Sequence, residues 1–160
     1  MDDLTLRESF RRRLEGGEIP ADPVEVDRLA VLLRRIPLFE ACAPAELHRL
    51  ASTSYPIAFE EGEDLCVEGA ESADCYVVVE GEAALSVQGE PVGIVHAAEV
   101  VGERGPIEGR PRGATVTATS RVHAYAISRG RLEEILSKNP QAATHMRRLV
   151  RARYAPDSQR

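Results

Sequence analysis

Glu103 and Arg112 open and close a ten-residue span inside residues 101–116, which read Val-Gly-Glu-Arg-Gly-Pro-Ile-Glu-Gly-Arg-Pro-Arg-Gly-Ala-Thr-Val. An ionised carboxylate only accepts hydrogen bonds, so Glu103 suits hydroxyl groups and would repel an anion. Arg112 presents a planar fork of donors suited to phosphate oxygens. Gly105 and Gly113 let backbone N–H groups approach an anion with no Cβ in the way. One ligand class satisfies both ends of the span: a small phosphorylated sugar.

Each piece alone is weak, since Gly-Glu pairs occur in ordinary hairpin turns and Pro-Arg-Gly in ordinary loops. Their weight comes from the elements around them. Asp22 before Pro23, with Glu25 three residues on, has the form of a helix start. Val26, Leu29, Leu33 and Ile36 then recur at helical spacing until Pro37 stops the run. A short second helix is predicted around 45–52. From Tyr55 to Ser128 the pattern changes to short strand-like runs, at 57–59, 65–67, 76–79, 83–87, 92–95, 114–119 and 122–127, broken by Gly, Pro, Glu and Asp. Many short strands at near-regular spacing predict a mainly β fold, a jelly roll or barrel, with helices at both ends. Ser128 opens one C-terminal helix carrying Leu132, Ile135 and Leu136. Asn139-Pro140 opens the last, with Ala142, Met146, Leu149, Val150 and Arg153 on one face. Glu103 and Arg112 then fall between two strands, at the mouth of a concave interior.

Bulk properties remove several function classes. The net charge of −6 argues against a general nucleic-acid binder. Arg11 to Arg13, and Arg147, Arg148, Arg151 and Arg153, are local basic clusters that read as solvated helix faces or as docking surfaces for an acidic partner. No apolar run reaches the roughly 18 residues of a membrane span, and the charged N-terminus lacks a signal-type apolar region; a cytoplasmic location is expected. Cys42, Cys66 and Cys75 lack metal-site spacing and read as free, buried thiols. His48, His96, His123 and His145 are scattered, unlike the clustered ligands of a cupin-type metal enzyme, and no hydrolase or P-loop motif occurs, so no catalysis is expected.

The run Gly102-Glu103 followed by residues 109–116 resembles the phosphate-binding cassette of cyclic-nucleotide-binding domains, the modules of catabolite activator proteins, cyclic-nucleotide-dependent kinases and gated channels. Residues 33–39, Glu46-Leu47, 61–63, 68–70, 74–78 and Gly81 match that family's opening helix and first hairpins in order and approximate spacing. The resemblance implies that Arg112 holds the cyclic phosphate and that the amides of Gly113 and Ala114 add to it. It also implies that Glu103 accepts from the ribose 2′-hydroxyl and that Gly102 allows the close turn. Arg104 and Gly105 join the expected ligand-binding set. Arg147, Arg151 and Tyr154 on the last helix are candidates to cover the base. Cyclic-GMP-selective relatives often carry threonine directly after the cassette arginine. Gly113 stands there, which favours cyclic AMP over cyclic GMP.

The expected organisation is an N-terminal extension (1–21), a nucleotide-binding unit with flanking helices (22–154) and a short tail (155–160), a stand-alone receptor. Too little chain follows Tyr154 for a DNA-reading domain, so direct DNA binding is not expected and the output is a helix rearrangement read by a protein effector. Two departures keep an alternative open: Arg104 and Pro106 stand where the family carries aliphatic residues, and Pro106 has no N–H to give. With a crippled cassette the chain would be a ligand-free assembly module. The apolar stripe of the last helix would also suit a homodimer.

Overall fold

The computed structural model describes residues 22–71 and 74–153. Helix α1 spans Pro23–Arg34; Asp22 caps it, its Oδ1 accepting from the Glu25 N–H at 2.8 Å. Pro37 ends the helix by starting a 3₁₀ turn, Pro37–Phe39, and α2 follows at Pro44–Thr53.

Eight strands then form two four-stranded antiparallel sheets: β1 Tyr55–Phe59, β2 Asp64–Cys66, β3 Cys75–Glu80, β4 Ala83–Val87, β5 Glu90–Val95, β6 Val100–Val101, β7 Thr115–Ala118 and β8 Val122–Ile127. One sheet has the order β1-β8-β3-β6 and the other β2-β7-β4-β5. A short helix, α3 (Arg104–Glu108), lies between β6 and β7, and two helices close the described chain, α4 (Arg129–Lys138) and α5 (Pro140–Arg153). This is the expected jelly roll, drawn as two facing sheets with helices on one side.

Strand alternation explains how the layers join. On β8, Val122 and Ala124 turn into the core between the sheets with Phe59, Leu65, Val78 and Val116. Tyr125 and Ile127 turn the other way, with Cys75 and Val77 of β3, into a second core shared with the helices. β3 and β8 are therefore buried on both faces, which is why their sequences are almost continuously apolar.

The stripe on α5 is consumed inside this second core: Ala142 and Met146 have no exposed surface and Val150 has 1%. It gives no reason for a second copy to dock there. The four histidines lie apart, beside different carboxylates: Asp27, Glu82, Glu80 and Glu40 for His48, His96, His123 and His145. The thiols are free, Cys66 and Cys75 buried and Cys42 half-buried. Residues 11–13 and Tyr154 lie outside the described residues.

Candidate functional site

Two strands from different sheets bring the ends of the span together. β6 delivers Gly102 and Glu103 to the start of α3, and the return into β7 delivers Arg112, Gly113 and Ala114. α3 ends at Gly109, whose φ of +68° is the left-handed cap that a residue without Cβ adopts freely.

Arg112 is 8% exposed, and its seat is built from backbone. Its Nη1 donates to the Gly102 carbonyl and its Nη2 to the Asp74 carbonyl, both at 3.0 Å, and the guanidinium lies 5.9 Å from the centre of the Tyr76 ring. Gly102 has φ +79°, and a Cβ there would sit 2.1 Å from Arg112 Nη1. Only glycine leaves room for the arginine. Pro106 contributes by omission: it has no N–H to offer the Gly102 carbonyl, four residues back, so that oxygen is left to Arg112. The proline that departs from the family pattern is compatible with both the short helix and the arginine's seat.

Asp74 joins this corner to the helices. Its Oδ1 accepts from the Arg129 N–H at the start of α4 at 3.1 Å, and its Oδ2 from the Tyr55 hydroxyl at 2.9 Å.

Glu103 is 2% exposed. Its Oε1 accepts from Arg153 Nη1 at 2.8 Å, and the same nitrogen donates to the Val100 carbonyl at 3.0 Å. Its Oε2 is buried with no hydrogen-bond partner among the described residues. An unpartnered buried acceptor costs about 1–3 kcal/mol, more when charged, so this oxygen has a standing need for a donor.

The site's cavity lies against these groups. Arg104, Arg112 and Arg153 supply its cationic side; Cys66, Leu85, Val101 and Val116 form an apolar wall; Gly113 and Ala114 complete it. Its volume is about 10 Å³, room for one water. Burial pushes the Cys66 thiol up to about 11 and lifts the Tyr76 phenol, with the Arg112 guanidinium opposing both shifts. Cys66 is therefore an apolar, protonated part of the wall.

Among the residues expected from sequence, Gly102, Arg104, Arg112, Gly113 and Ala114 meet at this cavity, with Glu103 paired to its rim residue Arg153. Gly105 is buried within α3, where its carbonyl accepts from the Gly109 N–H at 2.7 Å. Arg147 and Arg151 line a separate cleft with Pro106, Ile107 and Glu108. The cation that reaches the site from α5 is Arg153. Its signal was present in the sequence: Arg153 falls on the buried face of the last helix, where a solvated arginine has no place.

The Cyclic nucleotide-binding domain family matches residues 56–139. A cGMP-dependent protein kinase of Eimeria tenella is 26% identical over 104 residues, 65% of this chain but only 10% of the kinase. The N-terminal domain of a transcriptional regulator from Streptomyces coelicolor is 30% identical with a TM-score of 0.61, over 76% of this chain and 91% of that one. A variant regulatory subunit of a cAMP-independent protein kinase A from Trypanosoma brucei, bound to cAMP in its A site, is 22% identical with a TM-score of 0.68, covering 72% and 43%.

Proposed function

Because this chain belongs to the cyclic nucleotide-binding domain family, we propose that it is a non-catalytic receptor for a cyclic nucleotide, cyclic AMP in preference to cyclic GMP. The observation that carries this is a seated Arg112 on the cassette cavity together with Arg153 on the same cavity's rim, which holds a buried Glu103 that has an unpartnered oxygen among the described residues. A guanidinium has five N–H groups, and two carbonyls leave donors for a cyclic phosphate. The ribose 2′-hydroxyl supplies the proton Glu103 Oε2 lacks, and the purine lies on the wall of Cys66, Leu85, Val101 and Val116. Gly113 after the arginine leaves no hydroxyl there for a guanine amino group, hence the preference for adenine.

Ligand-sized pockets run to about 300–1,000 Å³, so the 10 Å³ cavity must widen on binding. Its strand walls are held by sheet ladders, whereas Arg153 sits on the last described turn of α5. That turn is the part that yields, and its displacement is the signal to a protein effector. A ligand preferring the open state about 100-fold contributes about 2.7 kcal/mol of bias.

Isothermal titration with each nucleotide tests the reading. The wild type should bind cyclic AMP more tightly than cyclic GMP, and Arg112→Ala should lose about 10- to 100-fold in affinity, the worth of a charge-assisted hydrogen bond. Absence of heat and of thermal stabilisation with millimolar amounts of either nucleotide would overturn it. That outcome would favour the second reading, a ligand-free assembly module. Its support is the same narrow cavity and the two carbonyls that already satisfy part of Arg112.

A further inference from the structure

A cleft separate from the cassette cavity lies beside α3. This cleft of about 510 Å³ has Pro106 and Ile107 of α3 and Leu136 of α4 as its apolar surface. Arg147 and Arg151, one turn apart on α5, form its cationic wall, and both are exposed. Neither guanidinium has an ion-pair or hydrogen-bond partner among the described residues.

The acids in the cleft do not cancel them. Glu133 is engaged by Arg129 Nε at 2.7 Å. Glu108 keeps a buried Oε1 with no hydrogen-bond partner among the described residues, which calls for an N–H from whatever occupies the cleft. The complementary occupant has apolar side chains for the floor, carboxylates for the two arginines and backbone N–H for Glu108. The chain as a whole is acidic, with a net charge of −6. An acidic partner is thus repelled elsewhere and steered here, which fixes orientation as well as affinity.

We propose that this cleft is the docking surface for an acidic, amphipathic segment of a protein partner. Both of its walls belong to the cassette machinery: α3 begins at the residue after Glu103, and α5 carries Arg153 two residues beyond Arg151. Ligand entry that displaces the end of α5 therefore reshapes the cleft. Only this ligand dependence rests on the receptor reading; the docking chemistry stands without it.

The test is a phage-displayed random dodecapeptide library panned on the intact protein with cyclic AMP present. Enriched peptides are then synthesised and titrated by fluorescence polarisation. Expected are sequences combining Asp or Glu with Leu or Ile, whose affinity falls about tenfold in Arg147→Gln/Arg151→Gln, further in the Glu pair, and with added salt. Arg121→Gln, on the far strand turn, should change nothing.

No enrichment, enrichment without acidic residues, or equal binding to the arginine variants overturns the proposal. So does arginine-dependent binding of phosphatidylserine vesicles or single-stranded DNA without peptide binding. Cyclic AMP titrated into the same samples separates the two readings. Peptide capture without nucleotide binding defeats the receptor and spares the docking surface; normal nucleotide binding with failed docking does the reverse.

Discussion

Arg153 carries a free-energy term that the cassette residues alone do not reveal. Its partner Glu103 is 3% exposed at the side chain while Arg153 is 34% exposed, so removing the arginine strands a buried carboxylate. Arg153→Ala should lower the stability of the free protein by about 1–3 kcal/mol, below the full cost of breaking a wholly buried pair because water reaches the arginine side. In melting temperature this is about 2–4 °C per kcal/mol for a chain of this size. The deficit should shrink under saturating cyclic AMP, because the ribose hydroxyl then gives the stranded carboxylate a donor at its other oxygen, Oε2. Equal deficits with and without nucleotide would mean that sugar and carboxylate do not meet. The sequence exposed Glu103 and Arg112 because their types are unusual between strands. It did not expose their pairing with Arg153 and with the carbonyls of Gly102 and Asp74, since backbone acceptors carry no residue signature.

Elements became legible in proportion to their length. β3 and β8, apolar on both faces, and the capped helices α1, α4 and α5 were read within one or two residues of their observed bounds. β6, with two residues, and the 3₁₀ turn, with three, are too short to establish a period. α3 was foreseen only as a turn of helix, and β6 and α3 are the very elements that aim Glu103. Arg147 and Arg151 lie on the expected helix but line a cleft apart from the cassette cavity, because helical periodicity fixes a face and not the neighbour it meets. The turn from β3 to β4 shows how little slack the frame has. Gly81 holds φ at +98°, and a Cβ there would lie 2.2 Å from the backbone oxygen of Arg121. That oxygen belongs to the turn into β8 and cannot rotate away. Gly81→Ala should therefore cost about 2 kcal/mol or more, strain and clash together, seen as a lowered urea midpoint with an unchanged m-value. Gly89→Ala is the matched control, with φ +81° but no atom within 4 Å of the added carbon; it should lose only the strain.

At the scale of the whole molecule, the alkaline limit is set by thiols distributed across both cores. Cys66 lies in the core between the sheets, Cys75 in the core shared with the helices, and Cys42 at the edge of the latter. Burial pushes Cys66 up to about 11 and Cys42 to about 12, and drives Cys75 further in the same direction. Each folded-state value is above the 9.0 of an unperturbed thiol, so between the two the folded chain keeps protons that the unfolded chain has released. The associated stability is complete below about pH 9 and is lost as the pH rises through 11 and 12, with a limiting slope of about 1.4 kcal/mol per pH unit for each thiol. Lysine contributes little here, since Lys138 is the single lysine of the chain and its ammonium is exposed beside Glu134, whereas the phenols of Tyr55 and Tyr76, also raised by burial, add to the fall above about pH 10. Melting curves from pH 8 to 11 should fall steadily in the wild type. Cys66→Val with Cys75→Ala should flatten the fall whatever it does to the starting stability, because a side chain that cannot ionise removes the slope and not merely the contact. If the variant keeps the wild-type slope, the alkaline limit is set by groups other than these thiols.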